Sequence, residues 1–190
     1  MDAYALLFAS TLSAGTVLAL AALGLLINER AGVINLGAEG MMLCAALAGF
    51  AATVHTGSTW IGFLAGMGAG ALLAAIFGVL VIWLNTNQSA TGLALSLFGA
   101  GFSAFAGLNY VQAKLPESPK YDIPFLADLP VVGPALFRLH PLVYGTIIIA
   151  VLLVYFLYRT RAGLILRSVG ESPESAHALG YKVATPIFDG

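Results

Sequence analysis

Polar side chains are scarce in this chain, and those able to bind or move a solute fall in three short stretches. The first is Asn28 to Gly40, NERAGVINLGAEG. Asn35 is a good N-cap there, and Glu39 falls in the first turn of the helix that follows, where the positive end of the dipole favours a carboxylate. That reading needs no ligand. A second reading stands beside it, because an ionisable group within an apolar span is costly and a helix N-terminus inside a bundle can hold a polar solute. Glu29 and Arg30 mark the boundary of the preceding apolar run. The second stretch, Asn85 to Gly92 (NTNQSATG), opens another apolar segment. Its amides and hydroxyls, Asn87 and Thr91 among them, suit the hydroxyls of a sugar-like solute, and they equally suit a solvated turn.

The third stretch runs from Gly163 to Tyr181 (GLILRSVGESPESAHALGY). Ser172 as N-cap, Pro173 as first helical residue and Gly180 as stop predict a helix of two turns. So short a helix is marginal alone and must pack on the rest of the protein or on a partner. No enzyme constellation accompanies these stretches: the chain lacks His-Glu-x-x-His, Gly-x-Ser-x-Gly and a phosphate loop ending in Gly-Lys-Ser/Thr. The histidines, His55, His140 and His177, are scattered, and no metal or cofactor is expected. If nucleotide drives an activity here, another chain must bind it.

The elements that position these residues are apolar. Of 190 residues 59% are hydrophobic and 9% charged, with a mean hydropathy of +0.93, whereas a soluble domain carries roughly 25% charged residues. Between Arg30 and Lys114 the sole Asp, Glu, Lys or Arg is Glu39. A net charge of −1 with no basic cluster interleaved with aromatics excludes a nucleic-acid partner. The single cysteine, Cys44, excludes an intramolecular disulfide and reads as a packing residue. The start Met1-Asp2-Ala3-Tyr4 lacks the basic residues of a signal peptide, so the first apolar run is kept as a span.

Five stretches reach the length of about 20 residues that a bilayer crossing needs: Tyr4 to Ile27, Leu36 to Val54, Trp60 to Leu84, Thr91 to Leu108 and Pro141 to Tyr158. The fold class is therefore all-α, a polytopic transmembrane bundle with the lipid bilayer as its solvent. The second and fourth spans are short and interrupted, so either could be broken or re-entrant. Four of the eight Lys and Arg, namely Arg159, Arg161, Arg167 and Lys182, follow the fifth span and place that tail in the cytoplasm. The turns 28–35 and 85–90 then fall inside, and 55–59 and 109–140 outside. Six of the eight prolines lie in or close the 109–140 loop, which excludes long helices there. Small residues four apart let helices approach in lipid. Gly62, Gly66, Gly70, Ala74 and Gly78 form such a stripe in the third span, and Gly92, Ser96, Ala100 and Ala104 in the fourth. The fifth span lacks one, and ends in Tyr155, Tyr158, Arg159 and Arg161 as an interfacial anchor facing lipid.

The run NERAGVINLGAEGMM (28–42) resembles the permease subunit of bacterial ABC importers in the branched-chain amino acid, ribose and nucleoside group, most closely the nucleoside or simple-sugar branch. Thr91 to Leu95, Pro130 to Pro134 and Arg161 to Gly180 agree with it, in the same order. The resemblance implies an ATP-driven importer permease in the cytoplasmic membrane, partnered by an ABC ATPase subunit, a second permease subunit and an extracytoplasmic substrate-binding protein facing the outer loop. It implies that residues 159–190 are the cytoplasmic coupling segment, following a transmembrane region over 1–158. Gly170, Glu171, Pro173, Glu174, Ala176 and Gly180 would be the ATPase contacts. Asn35, Glu39, Asn87 and Thr91 are the candidates for the solute path. Such permeases are longer, with further spans after the coupling segment, so a fragment or truncated gene is expected. The alternative from another class is an ATP-independent channel or secondary carrier, whose mark would be paired acids or bases within the spans; only Glu39 is there.

Overall fold

The computed structural model describes residues 2–115 and 141–172, and all regular structure among them is helical. Helix α1 spans Asp2–Arg30, α2 Ala38–Thr56 and α3 Thr59–Gly78, the last continuing into a π-helical turn over Val79–Trp83. Helix α4 covers Gln88–Gly107 and tightens into a 3-10 turn at Leu108–Tyr110. Helix α5 is Pro141–Arg159, and α6 is Arg161–Glu171. Five of them are long and apolar enough to cross a membrane, over Ser10–Arg30, Ala38–Thr56, Thr59–Trp83, Gln88–Tyr110 and Pro141–Arg159. The five expected spans are present. The second and fourth are continuous helices, and the irregular one is the third, where Leu84 N–H bonds the carbonyl of Val79 five residues back.

The chain divides into two units. One contains α1 as far as Ile27, α5 and α6 as far as Arg167. Within it α5 buries Val143, Thr146, Leu153 and Leu157, a narrow stripe at helical spacing. Ile147, Ile148, Val151, Leu152, Val154 and Tyr155 lie exposed around the rest of the helix.

The other unit runs from Asn28 to Ser118 and resumes at Ser168. Its centre is α2, which packs against α3 on one side and α4 on another. Helix α3 runs antiparallel to α2: Gly62 lies against Thr53 and Gly49, Gly66 against Ala45 and Gly49, and Gly70 against Ala45. Three of the five small residues expected along α3 are thus used, while a Cβ on Gly78 would meet nothing within 4 Å. Helix α4 runs parallel to α2 through Gly92, Ser96 and Gly99. This corrects the expected α4 stripe beyond its first two members. At 3.6 residues per turn a strict four-residue repeat drifts off the contact line, so Gly99 makes the crossing and Ala100 and Ala104 are exposed. Met41 and Cys44 of α2 close a buried cluster with Leu73, Phe77 and Val81, against which Val33 and Leu95 pack. Cys44 is the packing residue its surroundings predicted.

Candidate functional site

The polar connections gather at one end of the second unit. Helix α1 stops in a Schellman turn: Val33 N–H bonds the Asn28 carbonyl at 2.9 Å and Gly32 N–H that of Glu29 at 3.0 Å. This turn requires a left-handed residue at its exit, and Gly32 supplies it with φ +79°. The next residues cross to the start of α4. Ile34 N–H donates to Gln88 Oε1 at 2.8 Å, and Ser96 Oγ donates to the Leu36 carbonyl at 2.7 Å. Gly92 leaves room for this crossing, since a Cβ there would stand 2.9 Å from Leu36 N and 3.0 Å from Gly37 N.

Asn35 does not cap α2, contrary to its expected role. The residue at the cap position is Gly37, with no side-chain cap. Asn35 Oδ1 instead accepts from Gly37 N–H at 2.9 Å, closing an Asx turn one step before the helix, and its Nδ2 faces Met41 Sδ at 3.8 Å. Glu39 is exposed in the first turn of α2, the position expected for it. Asn87 is the N-cap of α4, with Oδ1 accepting from Ala90 N–H at 3.0 Å. Thr91 donates its hydroxyl to Thr86 Oγ1 at 2.9 Å, and Thr86 passes its own to the Leu80 carbonyl, also at 2.9 Å, inside the π-helical turn. The structure therefore brings the Asn35 turn beside the start of α4. Three of the four path candidates already spend side-chain hydrogen bonds on local structure, and Glu39 is the one whose carboxylate is exposed.

Helix α6 was not foreseen. The two-turn helix over Pro173 to Gly180 lies outside the described residues, and with it Pro173, Glu174, Ala176 and Gly180. What is described is the helix before it, set off from α5 by a sharp elbow. Thr160 makes that elbow: its Oγ1 donates to the Phe156 carbonyl at 2.6 Å and accepts from Gly163 N–H at 3.1 Å, so it ends one helix and caps the next. Gly163 is buried against Phe156 and Leu157, and the Arg167 guanidinium lies 4.6 Å over the Tyr158 ring. A Thr three residues before a glycine, at the end of an apolar run, is the signal that could have located this start.

At its far end α6 returns to the first connection. Gly170 packs on the backbone of the Arg30–Gly32 turn; a Cβ there would overlap the Arg30 carbonyl oxygen and stand 2.8 Å from both Ala31 C and Gly32 N. Glu171, next to it, is exposed. The segments 28–35, 85–92 and 168–172 thus share one end of this unit. At the opposite end His55 Nε2 lies 3.1 Å from Tyr110 Oη, joining the exits of α2 and α4.

A bundle of apolar spanning helices with its polar joints gathered at the helix ends defines a polytopic α-helical protein of the cell membrane. Residues 7–186 match the family described as branched-chain amino acid transport system / permease component, and the chain belongs to that family. It is 44% identical over 178 residues to a putative glucose ABC transporter permease protein of Haloferax volcanii, covering 92% of this chain and 54% of that one. It is 34% identical over 189 residues to a guanosine ABC transporter permease protein of Bacillus subtilis, covering 92% and 58%. A nucleoside ABC transporter permease protein of Lactococcus lactis subsp. cremoris is 30% identical over 189 residues, covering 94% and 60%. The chain therefore spans little more than half the length of these relatives. No solved structure matches it.

Proposed function

We propose that this chain acts as part of the membrane-spanning permease of an ATP-driven importer for nucleosides or simple sugars. The observation that carries the reading is the 44% identity to a permease named for glucose and the 34% identity to one named for guanosine, each along 92% of the chain. Both solutes are neutral and rich in hydroxyls, and a path for them calls for amide and hydroxyl partners more than for fixed charge. Asn35, Glu39, Asn87 and Thr91 are the proposed lining, with Glu39 offering an exposed carboxylate.

ATP is hydrolysed by a separate ABC ATPase subunit, which docks on the coupling segment from Arg161 to Gly180. Gly170, Glu171, Pro173, Glu174, Ala176 and Gly180 belong to that surface, with Glu171 and Glu174 accepting from basic groups of the ATPase. Gly170 also serves this chain's own packing, so its share of the docking is through the backbone it presents. A second permease subunit completes the translocation path, and an extracytoplasmic substrate-binding protein delivers the solute to the 109–140 loop.

Copurification of the full-length permease tests the reading, combined with uptake of labelled nucleosides, sugars and branched-chain amino acids into proteoliposomes. The ATPase should accompany the wild type, and uptake of one of the first two solute classes should require ATP. Glu171→Gln with Glu174→Gln should lower that uptake about tenfold, in line with loss of a charge-assisted contact. Wild-type uptake that is indifferent to ATP would sink the importer reading.

A further inference from the structure

We propose that the backbone contact between Gly170 and the Arg30–Gly32 turn is the joint through which the end of α6 sets the position of α2 and α4. The inference rests on the coupling-segment reading above and assigns the route by which that segment acts. The contact is glycine against glycine: a Cβ built on Gly32 would stand 3.1 Å from Gly170 Cα and 3.2 Å from its carbonyl oxygen, and the reverse substitution would overlap the Arg30 carbonyl. No flexible side chain lies between the two backbones to absorb a displacement.

What lies beyond Gly32 is equally stiff. The two hydrogen bonds of the Schellman turn fix residues 28–33 to one another. Val33 packs on the buried cluster of Met41, Cys44, Leu73, Phe77 and Val81. Ile34 is bonded to Gln88, Leu36 to Ser96, and the Gly37 backbone lies against Gly92. A shift of Gly170 is thus transmitted, through the turn's backbone, the buried cluster and the Gln88 and Ser96 side-chain hydrogen bonds, to the first turns of both helices that carry the proposed solute path. Exposed Glu171 stands one residue away, where a partner pushing on the segment would act.

The test uses the full-length permease with its ATPase in proteoliposomes, reading ATP hydrolysis and labelled-solute uptake in the same vesicles. Gly32→Asn, on the side of the contact away from the docking surface, should leave the ATPase bound and hydrolysing while uptake per ATP falls about tenfold, the scale on which substitutions along a coupling route act. Asn accepts the left-handed backbone, and its Cβ requires a shift of only a few tenths of an ångström. Gly68→Ala, where a Cβ meets nothing within 4 Å, should leave the ratio unchanged. Should Gly32→Asn fail to accumulate in the membrane, Gly170→Ala replaces it, read only as uptake per ATP hydrolysed, because Gly170 also belongs to the proposed docking surface. A wild type that couples normally beside a variant with an unchanged ratio would overturn the joint and leave the importer reading standing. Absence of both variants from the membrane would also overturn it, assigning the contact to folding. A wild type without ATP-dependent uptake would remove both.

Discussion

Gly99 of α4 and Gly40 of α2 meet backbone to backbone: a Cβ on Gly99 would overlap the Gly40 Cα and carbonyl oxygen, and one on Gly40 would stand 2.6 Å from Ser96 Cα. In lipid there is no hydrophobic drive to hold two helices together, so close van der Waals contact and interhelical hydrogen bonds carry the association. Gly99→Ala and Gly40→Ala should each destabilise the bundle by about 1–3 kcal/mol, the usual cost of overpacking. Gly101→Ala, two residues along the same helix with nothing within 4 Å of its would-be Cβ, should be neutral or slightly stabilising. Thermal unfolding in detergent distinguishes them, and equal effects at 99 and 101 would contradict the crossing.

Ser96 gives the polar counterpart of that contact. Its hydroxyl donates across the interface to the Leu36 carbonyl at 2.7 Å, whereas Ser103 bonds within its own helix, to Ala100 O at 3.1 Å. Ser96→Ala should cost about 0.6–1.5 kcal/mol, and Ser103→Ala close to nothing. The same melting experiment reads both, and Ser96→Thr tests whether a hydroxyl at that position restores the loss.

How far these contacts could be read in advance depends on the level. Span number followed from composition, because a run of about 20 apolar residues has few other uses. Contact faces were half legible. The α3 stripe at Gly62, Gly66 and Gly70 is correct because those turns all touch α2. The α4 stripe failed after Ser96 because its spacing was extended past the point where a straight helix keeps it on one face. Asn35 was misplaced by two residues for a related reason: Asn serves an N-cap and an Asx turn equally, and only the path of Leu36 and Gly37 past Gly92 decides between them. The contact of Gly170 with Gly32 joins residues 138 positions apart in number, and no local pattern carries such information.

Thr160 makes a case where one side chain holds an elbow. It ends α5 by donating to Phe156 and begins α6 by accepting from Gly163. Thr160→Val keeps shape and removes both bonds, so α6 should lose about 1 kcal/mol of its cap, seen as faster amide exchange over residues 161–165. Thr160→Ser should restore protection. Gly163→Ala should be worse than Thr160→Val, because its Cβ would overlap the Phe156 carbonyl and lie 2.7 Å from Leu157 Cα.

The π-helical turn at the end of α3 carries the last prediction. A π turn leaves backbone groups out of the regular α-helical ladder, and here the Leu80 carbonyl accepts from Thr86 N–H at 3.2 Å and from Thr86 Oγ1 at 2.9 Å. Thr91 then donates to Thr86, which ties the turn to the first residues of α4. Between the two helices Asn85 takes a left-handed backbone at φ 51°, a conformation that Asn tolerates better than other non-glycine residues. Thr86→Val removes the donor to Leu80 and the acceptor for Thr91 together, whereas Thr91→Val removes only the outer bond. Amide exchange over residues 83–87 should therefore rise more in Thr86→Val than in Thr91→Val, and the double variant should match Thr86→Val alone, since the second bond no longer exists to be lost. Additive effects in the double variant would show that Thr91 supports the turn by some route other than Thr86. Asn85→Gly should leave the exchange unchanged, and Asn85→Val should raise it, because a β-branched residue is strained at that angle.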